Sequence, residues 1–288
     1  MLVKTVPLRY RAPLDLDALL RFLGARAVDG VESYRDGVYA RSLALPHGPA
    51  VVELSAGAGD EVRCVLRLAD GRDAPAAVGR CRQQLDLDTD PAAIASAFEA
   101  DPVLGPLVAK APGLRVPGHV DGLEMAVRAV LGQQVSVRAA RVLAGRLTAR
   151  YGRPLPLRHP TVTRLFPTAA ALREADIGMP ASRLRALRAV AVAVHDGLAL
   201  DPTVDRAETE RRLLALPGIG PWTTSYLAMR VLADPDAFLP SDVGVRHALT
   251  RLGLPADPVA AARLAESWRP WRSYALVHLW HSLDRKDV

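Results

Sequence analysis

Cysteine is nearly missing from this 288-residue chain, which has only Cys64 and Cys81. Two thiols cannot by themselves build a four-ligand zinc site or a four-cysteine iron–sulfur cluster. They also offer no disulfide framework, so a reducing cytoplasm is the expected compartment. Lysine is almost as scarce. Lys4, Lys110 and Lys286 are the whole set, which leaves 34 of the 37 basic residues to arginine. Any chemistry through a lysine imine therefore has three candidates. Aromatic residues make up only 5% of the chain. No apolar run reaches the roughly 20 residues of a membrane span. The N-terminus sets Lys4, Arg9 and Arg11 among apolar residues and shows no signal-peptide core. A soluble intracellular protein without a membrane partner is expected.

What is present suffices for an ordinary core. Half of the residues are hydrophobic and 24% are charged, and the length suits two domains of roughly 100–200 residues. A net charge of +6 permits an anionic partner without demonstrating one. The fold class expected is α+β. A small mixed α/β domain covers residues 1–90, and an all-α domain covers residues 91–288. In the first, Tyr34-Arg35-Asp36-Gly37-Val38-Tyr39 is a hairpin signal, an Asp-Gly turn between aromatic and β-branched flanks. Val51–Leu54 and Val62–Leu66 read as further strands. In the second, Asp121-Gly122-Leu123-Glu124 has the form of a capping box opening one helix that runs to about Arg150. More helices are expected at 181–196, 205–216, 222–232, 243–252, 259–268 and 273–282.

The most informative string is Leu213-Leu214-Ala215-Leu216-Pro217-Gly218-Ile219-Gly220-Pro221-Trp222-Thr223. Two helices are broken by a tight Gly-x-Gly turn that Ile219 would peg. Gly218 and Gly220 are expected to take backbone angles closed to other residues and to leave their amides bare. Pro221 can open the next helix because its missing N–H costs nothing there. Bare amides feeding a helix N-terminus suit a phosphate. Without a following Gly-Lys-Ser/Thr this is no nucleotide P-loop.

The string resembles the helix-hairpin-helix motif of the DNA glycosylase superfamily, here over about residues 205–232. Phe238-Leu239-Pro240-Ser241-Asp242 then supplies the proline and acid that such proteins carry some twenty residues on. Arg115-Val116-Pro117-Gly118, Ala129-Val130-Leu131-Gly132-Gln133-Gln134-Val135-Ser136 and Trp268-Arg269-Pro270-Trp271-Arg272-Ser273-Tyr274-Ala275 narrow the resemblance. They are similar to segments of the 3-methyladenine DNA glycosylase II type, the alkylation-repair family. The resemblance implies a monofunctional glycosylase acting on alkylated bases in duplex DNA, working as a monomer. It implies that Asp242 is the catalytic carboxylate. Its bland alternative is a helix cap. It further implies that Trp222, Tyr226 and Trp280 line the base pocket by stacking and cation–π attraction. The hairpin amides of Gly218, Gly220 and Thr223 would hold the DNA backbone. No cofactor and no side-chain metal site is expected, apart from a monovalent cation on the hairpin carbonyls.

Two positions discriminate further. Relatives that also cut the strand resemble one another in a lysine nucleophile where this chain has Trp222, and none of its three lysines is expected near the hairpin. Gln134 matches the family's wedge position, typically apolar, and reads equally as a wedge or a solvent-facing glutamine. His278 and His281 are too few for a metal. Trp268 and Trp271 read as core. The competing readings are a non-catalytic helix-hairpin-helix DNA-binding protein and a superfamily glycosylase for oxidised or mismatched bases. Asp242 argues against the first and Trp222 against the second.

Overall fold

The computed structural model describes residues 2–283. The N-terminal unit is a five-stranded antiparallel sheet with two helices. Its elements are β1 (Leu2–Arg9), α1 (Leu16–Ala25), β2 (Glu32–Arg35), β3 (Val38–Leu45), β4 (Gly48–Ala56), β5 (Glu61–Leu68) and α2 (Ala74–Leu85). The strand order is β1-β5-β4-β3-β2. Asp36 and Gly37 have φ of 50° and 75°, the positive pair that a two-residue hairpin turn demands. Asp15 caps α1 by accepting from the Ala18 N–H at 2.9 Å. Leu19, Leu20 and Leu23 of α1 then bury against Leu43, Leu54 and Leu66 of the sheet, each such side chain contributing roughly 1.5–3 kcal/mol.

The remainder is helical apart from a two-residue ladder between β6 (Arg153–Pro154) and β7 (Arg164–Leu165). Its helices begin with α3 (Pro91–Phe98), α4 (Leu104–Lys110), α5 (Gly122–Leu131), α6 (Val137–Tyr151), α7 (Ala169–Leu172) and α8 (Ala181–His195). They continue with α9 (Arg206–Leu214), α10 (Pro221–Arg230), α11 (Val243–Arg251), α12 (Pro258–Leu264) and α13 (Arg272–Leu283). Leu131, Leu187, Leu227, Leu249 and Leu279 meet in one core, joined by Ile94, Phe98 and Leu104 and by Val28 and Val31 from the N-terminal part. Among the described residues no helix is long and apolar enough to cross a membrane.

Two sequence expectations need correction here. The single helix expected from Asp121 to Arg150 is two, because Gln134 takes a φ of 57° and Ser136 caps a fresh start by accepting from the Ala139 N–H at 3.2 Å. The capping box is only half made. Asp121 accepts from the Glu124 N–H at 2.9 Å, but the Asp121 N–H goes to His119 Nδ1 at 3.1 Å. Glu124 is drawn elsewhere, into a buried ion network that joins the two units. Arg41 of β3 donates to Glu32 at 3.2 Å and to Glu124 at 2.7 Å, and Arg128 of α5 donates to the same carboxylates at 2.8 and 2.9 Å. Burial opposes ionisation of both carboxylates, but Arg128 and Arg41 outweigh it at Glu32 and, chiefly through Arg41, at Glu124, so both are held below the usual range. Glu32, His119 and Glu124 have ligand atoms within 4.8 Å of one another. Two guanidinium groups already balance the two carboxylates, so the trio reads as an interdomain ion pair network.

Candidate active site

A cleft of about 2200 Å³ runs between the N-terminal sheet domain and the helical unit. One wall is the hairpin between α9 and α10. Ile219 is buried at the tip and pegs the turn to the core. Gly218 has a φ of 78°, and a Cβ there would lie 2.8 Å from that of Ala186. Glycine is thus required twice, by conformation and by the approach of α8. Gly220 differs from expectation: its φ is −110°, ordinary extended backbone, and a Cβ would meet nothing within 4 Å. Its smallness leaves the surface open rather than permitting a turn. The α10 ladder begins with the Thr224 N–H donating to Gly220 O at 3.0 Å. The amides of Trp222 and Thr223 precede it, as at any helix N-terminus able to face an anion. The Thr223 side chain is buried, so a DNA contact from this residue is confined to its main chain.

Asp242 is the N-cap of α11, where its Oδ1 accepts from the Val245 N–H at 3.1 Å. The cap does not exhaust the side chain. Oδ1 also accepts from Trp280 Nε1 at 2.9 Å, and Oδ2 accepts from Trp222 Nε1 at 3.0 Å. All three partners donate, the complement of an acceptor-only carboxylate. Two indoles, from α10 and α13, thereby fix both oxygens and lock their own ring planes beside the cleft. Trp222 stacks on Tyr226 with centroids 5.1 Å apart and planes 11° from parallel. Tyr226 OH accepts from Arg230 Nη1 at 2.6 Å. The structure therefore brings together Asp242, Trp222, Tyr226 and Trp280, four residues spread over nearly sixty positions.

The break between α5 and α6 also lines the cleft. Gln134, in its left-handed conformation, is exposed on the cleft. Its neighbour Gln133 lies against the hairpin. The Gln133 amide donates to Gly218 O at 3.0 Å and to Thr223 Oγ1 at 3.1 Å, tying this loop to the hairpin.

Comparison with known proteins places the chain in a family. A family model for the AlkA N-terminal domain matches residues 5–121, and the model for the HhH-GPD superfamily base excision DNA repair protein matches residues 127–273. The chain belongs to the HhH-GPD superfamily. It is 37% identical to DNA-3-methyladenine glycosylase 2 of Escherichia coli (strain K12), with 96% of each chain covered. It is 50% identical to a probable bifunctional transcriptional activator/DNA repair enzyme AlkA of Mycobacterium tuberculosis, over 97% of this chain but 58% of that one. The chain thus spans little more than half of that relative. A solved 3-methyladenine DNA glycosylase from Archaeoglobus fulgidus superposes with a TM-score of 0.82 at 19% identity, covering 96% of this chain and 97% of that one.

This member of the superfamily has site residues that sequence reasoning missed. Phe22 of α1 crosses from the N-terminal domain and stacks on Trp280, centroids 6.3 Å apart and planes 17° from parallel. The Arg26 guanidinium lies 3.6 Å over the Phe22 ring and that of Arg230 5.3 Å from it. Burial pushes Arg230 down from the usual arginine value, with Tyr226 opposing the shift. Only the i, i+4 spacing of Phe22 and Arg26 hinted at a shared face, and nothing in the sequence tied that face to α13. Lys110, exposed at the end of α4, lines the same cleft, while Lys4 sits on the edge strand β1 and Lys286 lies outside the described residues. Trp268 is buried and donates to Asp101 at 3.0 Å, whereas Trp271 is only partly buried. His278 is buried in α13 and His281 lines the cleft.

Proposed function

We propose that this chain is a monofunctional DNA glycosylase that flips alkylated bases of the 3-methyladenine and 7-methylguanine class out of duplex DNA and hydrolyses the base–sugar bond, leaving an abasic site. The observation that carries the proposal is the Asp242 carboxylate held by two indole N–H groups beside an aromatic cleft and a phosphate-type hairpin. As the bond to the base lengthens, positive charge develops on the sugar. A fixed carboxylate stabilises that charge without reorganising, and it can take the proton of the attacking water. The alkylated bases are cationic, which suits the indole and phenol faces of Trp222 and Tyr226. Phe22 already carries Arg26 on its ring, so it contributes stacking rather than cation attraction.

The hairpin would grip the backbone through the main chain at Gly218, Gly220 and Thr223, and Gln134 would enter the duplex at the vacated position. A monovalent cation shared by the hairpin and a phosphate fits the donors present. The carbonyls of Leu216, Gly218 and Gly220 each accept one hydrogen bond, from Ile219 N–H, Gln133 Nε2 and Thr224 N–H. Each oxygen keeps a second lone pair. Such a cation would supply charge neutralisation at the bound phosphate. We further propose that the protein works as a monomer in the cytoplasm, with Cys64 and Cys81 free.

The test is incubation with methylated duplex DNA, identification of the released bases by mass, and borohydride trapping in parallel. Released 3-methyladenine and 7-methylguanine, intact abasic strands and no trapped adduct are expected. A wild-type adduct that disappears in Lys110→Ala would replace the water mechanism with an imine. Release of no base would reduce the protein to a DNA-binding module.

A further inference from the structure

Gly244 is the second residue of α11, two positions after Asp242. Glycine is a poor helix former, and Gly244 is not among the residues of positive φ, so its backbone does not call for glycine. The reason for glycine lies across the helix interface. A Cβ on Gly244 would stand 2.9 Å from Trp280 Cδ1, 3.0 Å from Trp280 Nε1 and 3.0 Å from Asp242 Oδ1. Two of those three atoms are the partners of the 2.9 Å hydrogen bond from Trp280 to Asp242. The missing methyl is the space in which that bond forms. Gly220 is the contrast, since a Cβ there meets nothing.

We propose that Gly244 is a positioning residue, which acts by letting the edge of the Trp280 indole close on Asp242. It thereby sets the direction of one carboxylate oxygen and one wall of the base pocket together. The inference rests on the reading of Asp242 as the catalytic carboxylate. Phe22 lies over one face of Trp280 and limits how far the indole can tilt. An alanine at this position must displace the indole edge by several tenths of an ångström. The shift lengthens the bond to Asp242 and moves that wall of the pocket. DNA affinity is set elsewhere, on the hairpin and the loop at Gln133, so the effect falls on the chemical step.

Gly244→Ala tests this with three measurements. Alanine is the better helix former, which offsets part of the cost of displacing the indole, so the thermal midpoint should fall by no more than a few degrees. Affinity for duplex holding an abasic site should stay within about twofold of wild type. Single-turnover excision of 7-methylguanine should fall by roughly 10- to 100-fold, the range for losing one hydrogen bond to a charged group. The indole N–H resonances give a readout that does not depend on activity. The Trp280 signal, assigned by its loss in Trp280→Ala, should move in Gly244→Ala while that of Trp268 stays. In a Trp280→Ala background the added Gly244→Ala should change excision by less than about threefold, because no indole remains to be displaced. A near-normal rate with an unmoved Trp280 resonance would overturn the proposal, as would an equal loss in both backgrounds. Should the wild type excise nothing, the glycosylase reading fails first, and the resonance alone then decides whether Gly244 positions Trp280.

Discussion

Replacing Asp242 by asparagine keeps the size of the side chain and removes its charge, and the cost depends on the hydrogen bonds around it. Oδ1 serves the Val245 N–H and Trp280 Nε1, while Oδ2 serves Trp222 Nε1. An asparagine carbonyl at the Oδ1 position keeps the helix cap and the Trp280 bond. Its amide N–H then faces the indole N–H of Trp222, donor against donor. Losing that bond costs roughly 1–3 kcal/mol, a melting-point drop of several degrees at about 2–4 °C per kcal/mol for a chain of this size. The catalytic loss is larger. Two unit charges about 4 Å apart at an effective dielectric near 20 interact by about 4 kcal/mol, which is on the order of 10³-fold in rate. Single-turnover excision should therefore fall by roughly 10²- to 10³-fold. A gel-shift titration on abasic duplex should show affinity within about threefold of wild type, since backbone contacts do not use this charge. Excision within about tenfold of wild type would refute the reasoning and leave Asp242 as a helix cap alone.

Gly220→Val should fold normally and bind duplex more weakly whatever the lesion, because its side chain enters open space where a phosphate would approach; unchanged affinity would remove the hairpin as anchor. Gly218→Ala should instead destabilise the fold and lower the thermal midpoint, the positive φ costing roughly 1–2 kcal/mol and the contact with Ala186 more. Arg41→Ala should cost about 3–5 kcal/mol in denaturant unfolding by leaving Glu32 and Glu124 short of a buried partner, and a loss under about 1 kcal/mol would show the network to be dispensable. Burial, with help from the charge of His281, depresses His278 to about 4. The unfolded chain binds the proton more readily between about 6.5 and 4, so this stability is full above pH 6.5 and is lost as pH falls through 4. The difference between wild type and His278→Gln should shrink by about 3 kcal/mol over that interval, and a flat difference would contradict the assignment.

Much of the helical architecture was legible because its determinants act within one turn of chain. Asp15, Asp121 and Asp242 cap the helices they precede, Pro221 opens α10, and Asp36-Gly37 closes its hairpin. Each depends on a residue's reach to amides two or three positions away, and residue type records that directly. The hairpin string and the acid after Pro240 were readable for the same reason, and they carried the family with them. The break at Gln134 was not legible, since glutamine is an ordinary helix residue and nothing local demands a positive φ there. The chemistry of the site was hidden more deeply. Asp242 meets its indole partners 20 and 38 residues away, and Phe22 meets Trp280 from another domain. Glu124 left its capping box for Arg41, 83 residues distant. An aromatic or a glutamate on a helix has the same local pattern whether it faces a core, a partner domain or a substrate. Local pattern therefore specified most of the segments that fold, how they begin and end, and to which family they belong. Which side chains meet was left to tertiary packing, because such contacts link residues that no local rule connects.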